Sequence, residues 1–149
     1  MIQHAVYDSP FGAYTIGYRE HELVSLQFGA AASSCPSPIS NAAASQLDEY
    51  FVGKRRIFSL PMSLCGTEFQ MKVWRAIADI PFGEVRTYGE IARAVGNPRA
   101  ARAVGGAVHQ NPLWILIPCH RVVAQNGLGG YAGRPEVKRA LLKIEGILY

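Results

Sequence analysis

Few features in this sequence would direct the chain into a membrane or brace it with disulfides. No apolar run approaches the roughly 20 residues that cross a bilayer, and the opening Met1-Ile2-Gln3-His4 lacks the basic and then apolar segments of a secretory signal. Cysteine is scarce: Cys35, Cys65 and Cys119 are odd in number and widely spaced, which argues against both a disulfide framework and a Cys-x-x-Cys metal site. The four histidines, His4, His21, His109 and His120, also lack short ligand spacing, so no metal is expected. Charged residues make up 17% of the chain and hydrophobic ones 49%, the balance of a globular protein rather than a disordered one. These absences lead us to expect a soluble protein of a reducing compartment: cytoplasmic in a prokaryotic host, nuclear in a eukaryotic one.

The charge that is present is unevenly placed. Net charge is +4, yet the first 65 residues carry four basic and five acidic side chains, while residues 66–149 carry eleven basic and six acidic. All of the positive excess therefore lies in the second part, which fits either an anionic partner there or an ordinary solvated surface.

Three β-rich segments open the chain, Ile2 to Tyr7, Ala13 to Tyr18 and Leu23 to Phe28, and they read as an antiparallel meander. Tyr14, Ile16 and Tyr18 share one face, and Val24, Leu26 and Phe28 share another. A loop of Ala, Ser, Cys and Pro follows, then a helix marked by Ala43, Leu47, Tyr50 and Phe51 and ended by Gly53. Ile57 to Leu60 is expected to add a strand. The chain as a whole reads as α+β, with a small sheet-and-helix domain over 1–62 and a mainly helical, basic domain over 63–149.

Helix punctuation is clear in the second part. Thr67-Glu68-Phe69-Gln70 and Thr87-Tyr88-Gly89-Glu90 are capping boxes, and Asn97-Pro98 has the residue order preferred at a helix start. Two short helices joined by the Gly96-Asn97-Pro98 turn make a candidate helix-turn-helix whose second helix is expected from Pro98 to about His109. Ala100, Ala101, Ala103, Gly105, Gly106 and Ala107 leave that helix almost bare, although each Gly costs roughly 1 kcal/mol against Ala. Arg99 and Arg102 are its only charged groups before His109. Such a helix either packs tightly against a neighbouring helix or lies deep in a nucleic-acid groove without reading bases.

Near the C-terminal end an apolar run, Leu113 to Ile117, reads as a buried extended segment stopped by Pro118, just before Cys119, His120 and Arg121. A thiol attacks as thiolate, and an adjacent imidazole and guanidinium are the neighbours that favour one. Cys-His alone leaves two readings open, a nucleophile or a small core residue. The loop Asn126 to Gly133 is rich in glycine but lacks the order of a phosphate-binding fingerprint, so no nucleotide cofactor is expected. Pro135 then starts a last helix whose final turn carries Glu145, a carboxylate placed against the helix dipole and so in want of a specific partner.

From Thr67 to Gly146 the chain resembles the active domain of the O6-alkylguanine-DNA alkyltransferases, through Ile117-Pro118-Cys119-His120-Arg121-Val122 above all. Phe82-Gly83-Glu84-Val85, Tyr88, the run Asn97 to Gly106, Asn111-Pro112, Gly130-Tyr131 and Glu145-Gly146 also match. The resemblance implies a ribonuclease H-like N-terminal domain, a winged-helix-like C-terminal one, and direct-reversal repair without a cofactor. A monomer would bind double-stranded DNA containing O6-alkylguanine, with O4-alkylthymine as a further candidate substrate, and transfer the alkyl group once to Cys119. It also implies that His120 is the base acting through a water, that Glu145 orients it, that Asn111 ties the active segment to the helix-turn-helix, and that Tyr88 bonds toward the leaving guanine. DNA contacts would come from Arg102, filling the space left by a flipped base, and from Ala100, Ala101, Arg99, Gly105 and Arg121. The base pocket would be formed by Tyr131, Val122, Ala132, Gly133 and Val108. Two competing readings are a lesion-flagging relative, against which the acceptor Cys119 argues, and a cysteine hydrolase, which leaves the bare helix and the basic half unexplained.

Overall fold

The computed structural model of the chain describes residues 1–131 and 134–149. Its backbone contacts divide it into two compact units, residues 1–64 with 112–114, and residues 65–111 with 115–149.

In the first unit, β1 (Gln3–Ser9), β2 (Gly12–Arg19) and β3 (Glu22–Phe28) form an antiparallel sheet in the order β1-β2-β3. Tyr14, Ile16 and Tyr18 are buried on one face of β2, as the period-2 pattern predicts. On β3 the phase differs from expectation: Leu23 and Leu26 are the buried residues, while Val24 and Phe28 are half-buried. A bulge is the cause, since Gly17 pairs with Ser25 but Tyr18 pairs with Leu23, leaving Val24 without an opposite residue. Gly17 leaves room there for the Ser25 hydroxyl, since a Cβ at that position would lie 2.2 Å from Ser25 Oγ.

The predicted strand at Ile57 to Leu60 is absent. Its backbone is engaged elsewhere: Gln46 accepts from Ser59 N–H and donates to Ser59 O, and Arg55 donates to Ile57 O. Pairing with β3 comes just afterwards, where Leu23 N–H donates to Pro61 O and Ser63 N–H to Leu23 O. Further along the same strand, Leu26 N–H donates to Pro112 O and Trp114 N–H to Leu26 O. Both segments thus cover an edge that would otherwise present unpaired backbone groups. α1 (Pro38–Phe51) is opened by a Ser37–Ser40 capping box and packs Ala43, Ala44, Leu47 and Tyr50 into the core. Full burial of a side chain such as Leu47 contributes about 1.5–3 kcal/mol.

In the second unit both predicted capping boxes form. Thr67 opens α2 (Glu68–Ala78) and Thr87 opens α3 (Tyr88–Ala94), each accepting from its third helical residue and donating its own N–H to that residue's side chain. α2 buries Val73, Trp74 and Ile77, and Trp74 Nε1 donates to Ala107 O at 2.9 Å, fixing α2 against α4 (Ala101–His109). The start of α4 is three residues later than Asn97-Pro98 predicts. Asn97 O accepts from Ala100 N–H, so Asn97 to Ala100 form a turn, and Gly96 before them takes a left-handed φ of 84°. β4 (Arg86–Thr87) pairs in parallel with β5 (Val122–Val123), and α5 (Pro135–Ile144) closes the unit. No helix among the described residues is long and apolar enough to cross a membrane.

The apolar run before Cys119 is not one straight segment. It turns at Ile115, a buried β-branched residue held at φ 72°, the region such residues rarely adopt.

Candidate active site

Cys119 is presented by two tight turns in succession. Pro118 has φ −79° and ψ 64°, and Cys119 N–H donates back to Ile117 O at 2.7 Å, an inverse γ-turn. Cys119–Arg121 then form a 3-10 turn with Arg121 N–H on Pro118 O. Asn111, buried beyond the end of α4, donates from Nδ2 to Ile117 O at 2.9 Å and so holds the first of these turns. Asn111 N–H in turn donates to Val108 O in α4.

The 3-10 turn places Cys119, His120 and Arg121 all in the interior. His120 Nε2 lies 2.6 Å from Glu145 Oε2. Glu145 caps the C-terminus of α5, and its carboxylate also accepts from Gly83 N–H at 3.0 Å and from Arg121 Nε at 2.8 Å and Nη2 at 3.1 Å. Arg121 donates with Nη1 to Ile80 O at 2.7 Å, and Phe82 lies under its guanidinium. The unfavourable end-of-helix carboxylate thus has its partners. Arg121, expected at DNA, is corrected: it is buried, and its fork is spent on Glu145 and a backbone carbonyl, so it faces no phosphate.

The protonation states follow from these contacts. Burial would raise the Glu145 carboxyl, but the bonds from His120, Arg121 and Gly83 outweigh it and hold the group at about 2. Burial draws His120 below its ordinary value, against the pull of Glu145, so the imidazole rests neutral. Burial also pushes the Cys119 thiol up to about 11, while Asn111, Lys138 and Tyr131 draw it back down. The resting pair is therefore a thiol and a neutral imidazole backed by a carboxylate. With Nε2 on Glu145, Nδ1 is the ring atom that takes a proton. The arrangement can make a sulfur nucleophile when a substrate arrives.

Tyr88, first residue of α3, stands beside this site: burial raises its hydroxyl, and the Gly130 backbone and Cys119 are its neighbours. Gly129 is shaped to it, having φ 78° and no room for a Cβ, which would lie 3.0 Å from Tyr88 Oη. Val122 and Tyr131 are buried, Tyr131 as a hydrogen-bonding neighbour of the thiol, and Val108 is buried on α4. Ala132 and Gly133 lie outside the described residues. Arg99, Arg102 and Gly106 are exposed, Ala101 and Gly105 half-buried, and Ala100 buried. Added Cβ atoms at Gly105 and Gly106 would meet nothing within 4 Å among the described residues, so helix-helix packing among those residues does not require these glycines. One site residue escapes the sequence reading. Lys138 is fully buried, its Nζ donating to Val122 O at 2.6 Å and Gly130 O at 3.1 Å. Its signal was a lysine inside the apolar stripe of Val137, Leu141 and Leu142.

Comparison with known proteins gives this geometry its setting. A family model described as 6-O-methylguanine DNA methyltransferase, DNA binding domain, matches residues 68–147, and its companion, the ribonuclease-like domain of the same family, matches residues 2–64. The chain belongs to this family. The methylated-DNA–protein-cysteine methyltransferase of Methanosarcina acetivorans is 42% identical over 97% of this chain and 99% of its own length. That of Metallosphaera sedula is 44% identical over 99% and 96%. Among solved structures, the O6-methylguanine methyltransferase of Mycobacterium tuberculosis superposes with a TM-score of 0.88 at 42% identity, covering 97% of this chain and 93% of that one. A structure of the Mycobacterium tuberculosis protein in complex with DNA also gives 0.88, at 41% identity and the same coverage. This methyltransferase is accordingly an α+β protein with a ribonuclease-like first part and a DNA-binding second part.

Proposed function

We propose that the chain repairs DNA by direct reversal, taking the alkyl group from O6 of guanine onto Cys119 once per molecule. The observation that carries this reading is a buried Cys119 followed in the same turn by a buried His120 bonded to Glu145, in a member of the methyltransferase family. His120 accepts the thiol proton at Nδ1, through a water, and the Glu145 carboxylate supports the imidazolium that forms. The sulfur lone pair attacks the alkyl carbon, an S–C bond forms and the C–O6 bond breaks. The electron pair stays with guanine, which takes up one proton, so the products are a thioether and unmodified guanine. Tyr88 hydrogen-bonds toward the leaving base. A thioether has no easy leaving path, so the molecule is used up.

The reacting oxygen is stacked inside the duplex, so the nucleotide is flipped out to reach a buried thiol. Arg102 occupies the vacated space, and Arg99, Ala100, Ala101 and Gly105 let α4 approach the minor groove closely; the open space around Gly105 and Gly106 supports this. Tyr131, Val122 and Val108 form the base pocket. The domain over 63–149 carries both the acceptor and the DNA surface, and the protein works as a monomer in the cytoplasm of a prokaryotic cell, on O6-alkylguanine with O4-alkylthymine as the second candidate. The test is Cys119→Ser. It should bind alkylated duplex within about twofold of the unmutated chain and remove no alkyl group, because a hydroxyl is a far weaker nucleophile. Transfer by that variant near the original rate would contradict the assignment.

A further inference from the structure

An open groove of about 500 Å³ runs between α3, α4 and the chain after β5. Tyr88, Gly89 and Arg93 of α3 line it, with Ala101 of α4 and with Ala124 and Gln125. Gly89, Ala101 and Ala124 carry a methyl group at most, so these walls leave the groove unfilled. Glycine weakens a helix, and packing among the described residues does not demand one at position 89. A Cβ there would lie at ordinary contact distances, 3.7 Å from Arg93 Nη1 and 3.8 Å from Thr87 Oγ1. The first of these distances also locates a charge. Arg93 Nη1 lies beside Gly89, so the side chain runs back along α3 toward Tyr88, the direction that long helical side chains take. Arg86 and Arg121 spend their guanidinium groups on carboxylates and backbone carbonyls. Arg93 is exposed, and its guanidinium forms no hydrogen bond or ion pair among the described residues. Glu90 shares the groove, but its Oε1 accepts from Thr87 N–H at 2.9 Å. On the described walls Arg93 is the one cation, with its donors unspent.

We infer that this groove receives the sugar-phosphate backbone of the lesion-bearing strand, and that Arg93 binds the phosphate beside the flipped nucleotide. This rests on the base being flipped to Cys119, as proposed above. Tyr88 belongs to the groove and to the reactive site at once, since Cys119 is among the neighbours of its hydroxyl. A base drawn to the thiol trails its sugar and phosphates through the opening that Tyr88 walls. Each nucleotide brings one negative charge, and a guanidinium matches a phosphate with two parallel N–H donors. The bare walls at Gly89, Ala101 and Ala124 admit the bulk of the sugar. Arg93 differs in this from Arg102: it holds the strand whether or not a complementary strand is present, whereas filling a vacated stack has meaning only in a duplex.

The experiment compares the unmutated chain with Arg93→Ala and Arg93→Lys on three substrates: an O6-methylguanine duplex, the same methylated strand alone, and free O6-methylguanine base. Arg93→Ala should slow transfer from both DNA forms at least about fivefold more than transfer from the free base. Its duplex binding should also depend less on salt, the slope of log affinity against log salt falling by about 0.9, one phosphate contact. Arg93→Lys keeps the charge at the end of α3 and should keep the slope, which separates a lost contact from a disturbed helix. Equal losses on free base and DNA would overturn the inference, as would an unchanged slope in Arg93→Ala. A loss on the duplex with none on the single strand would also overturn it, by moving Arg93 to a contact that needs both strands. If the unmutated chain transfers no methyl group the proposed function falls, while the salt slope still decides whether Arg93 meets a phosphate.

Discussion

Glu145 gathers more of the site than any other residue. Its two oxygens accept from Gly83, from His120 and twice from Arg121, with no exposed side-chain surface. Removing its charge leaves the buried Arg121 guanidinium without a counter-ion. Glu145→Gln should therefore destabilise the fold by about 3–5 kcal/mol in urea unfolding, besides slowing transfer. A loss below about 1 kcal/mol would mean that the pair matters little to the fold. The same carboxylate sets an acid limit. Held at about 2 in the fold, below the ordinary carboxyl value of 4.5, it contributes in full above about 4.5, and the contribution disappears as pH falls toward 2. Acid unfolding should show a stability decline in that window that Glu145→Gln lacks. Arg121 and Lys138 explain why part of the site was hidden in the sequence. Arg121 was expected at DNA and Lys138 entered only the basic excess, and partners 24, 41, 16 and 8 residues away make them interior.

At the scale of elements, what is local was legible. The boxes at Thr67–Gln70 and Thr87–Glu90 involve residues three apart, and both helices begin where those residues predict. The start of α4 was not legible, because Pro98 suits a turn as well as a first helical position and the Ala100–Asn97 bond selects the turn. The strand expected at Ile57 to Leu60 was lost to the side chain of Gln46, a competitor that β-propensity ignores. α4 also carries a trade-off that can be measured. Gly106 sits four residues after Arg102 on the exposed face, with open space where its Cβ would be. Gly106→Leu should raise helix stability by about 1 kcal/mol, seen as a higher melting temperature. It should at the same time weaken duplex binding at least about tenfold, by blocking close approach. Unchanged affinity in a stabilised variant would remove α4 from the DNA surface.

Over the whole molecule, the two units share the chain unequally. Pro112–Trp114 belongs with the first unit, paired to β3, while Asn111 before it and Ile115 after it belong to the second. The excess of basic residues, by contrast, lies entirely after residue 65. If flipping is the step that the basic unit serves, Arg102→Ala should slow repair of a lesion in duplex DNA by at least about tenfold and leave reaction with a free O6-alkylguanine base nearly unchanged. Equal losses on both substrates would take Arg102 out of that step. The central claim, that Cys119 is a consumable acceptor, is tested most directly by intact-protein and peptide mass spectrometry after incubation with duplex DNA containing O6-methylguanine. The account predicts a gain of about 14 Da, one CH2, confined to Cys119 and limited to one equivalent per molecule. No gain, or repair beyond one equivalent with Cys119 unmodified, would contradict it.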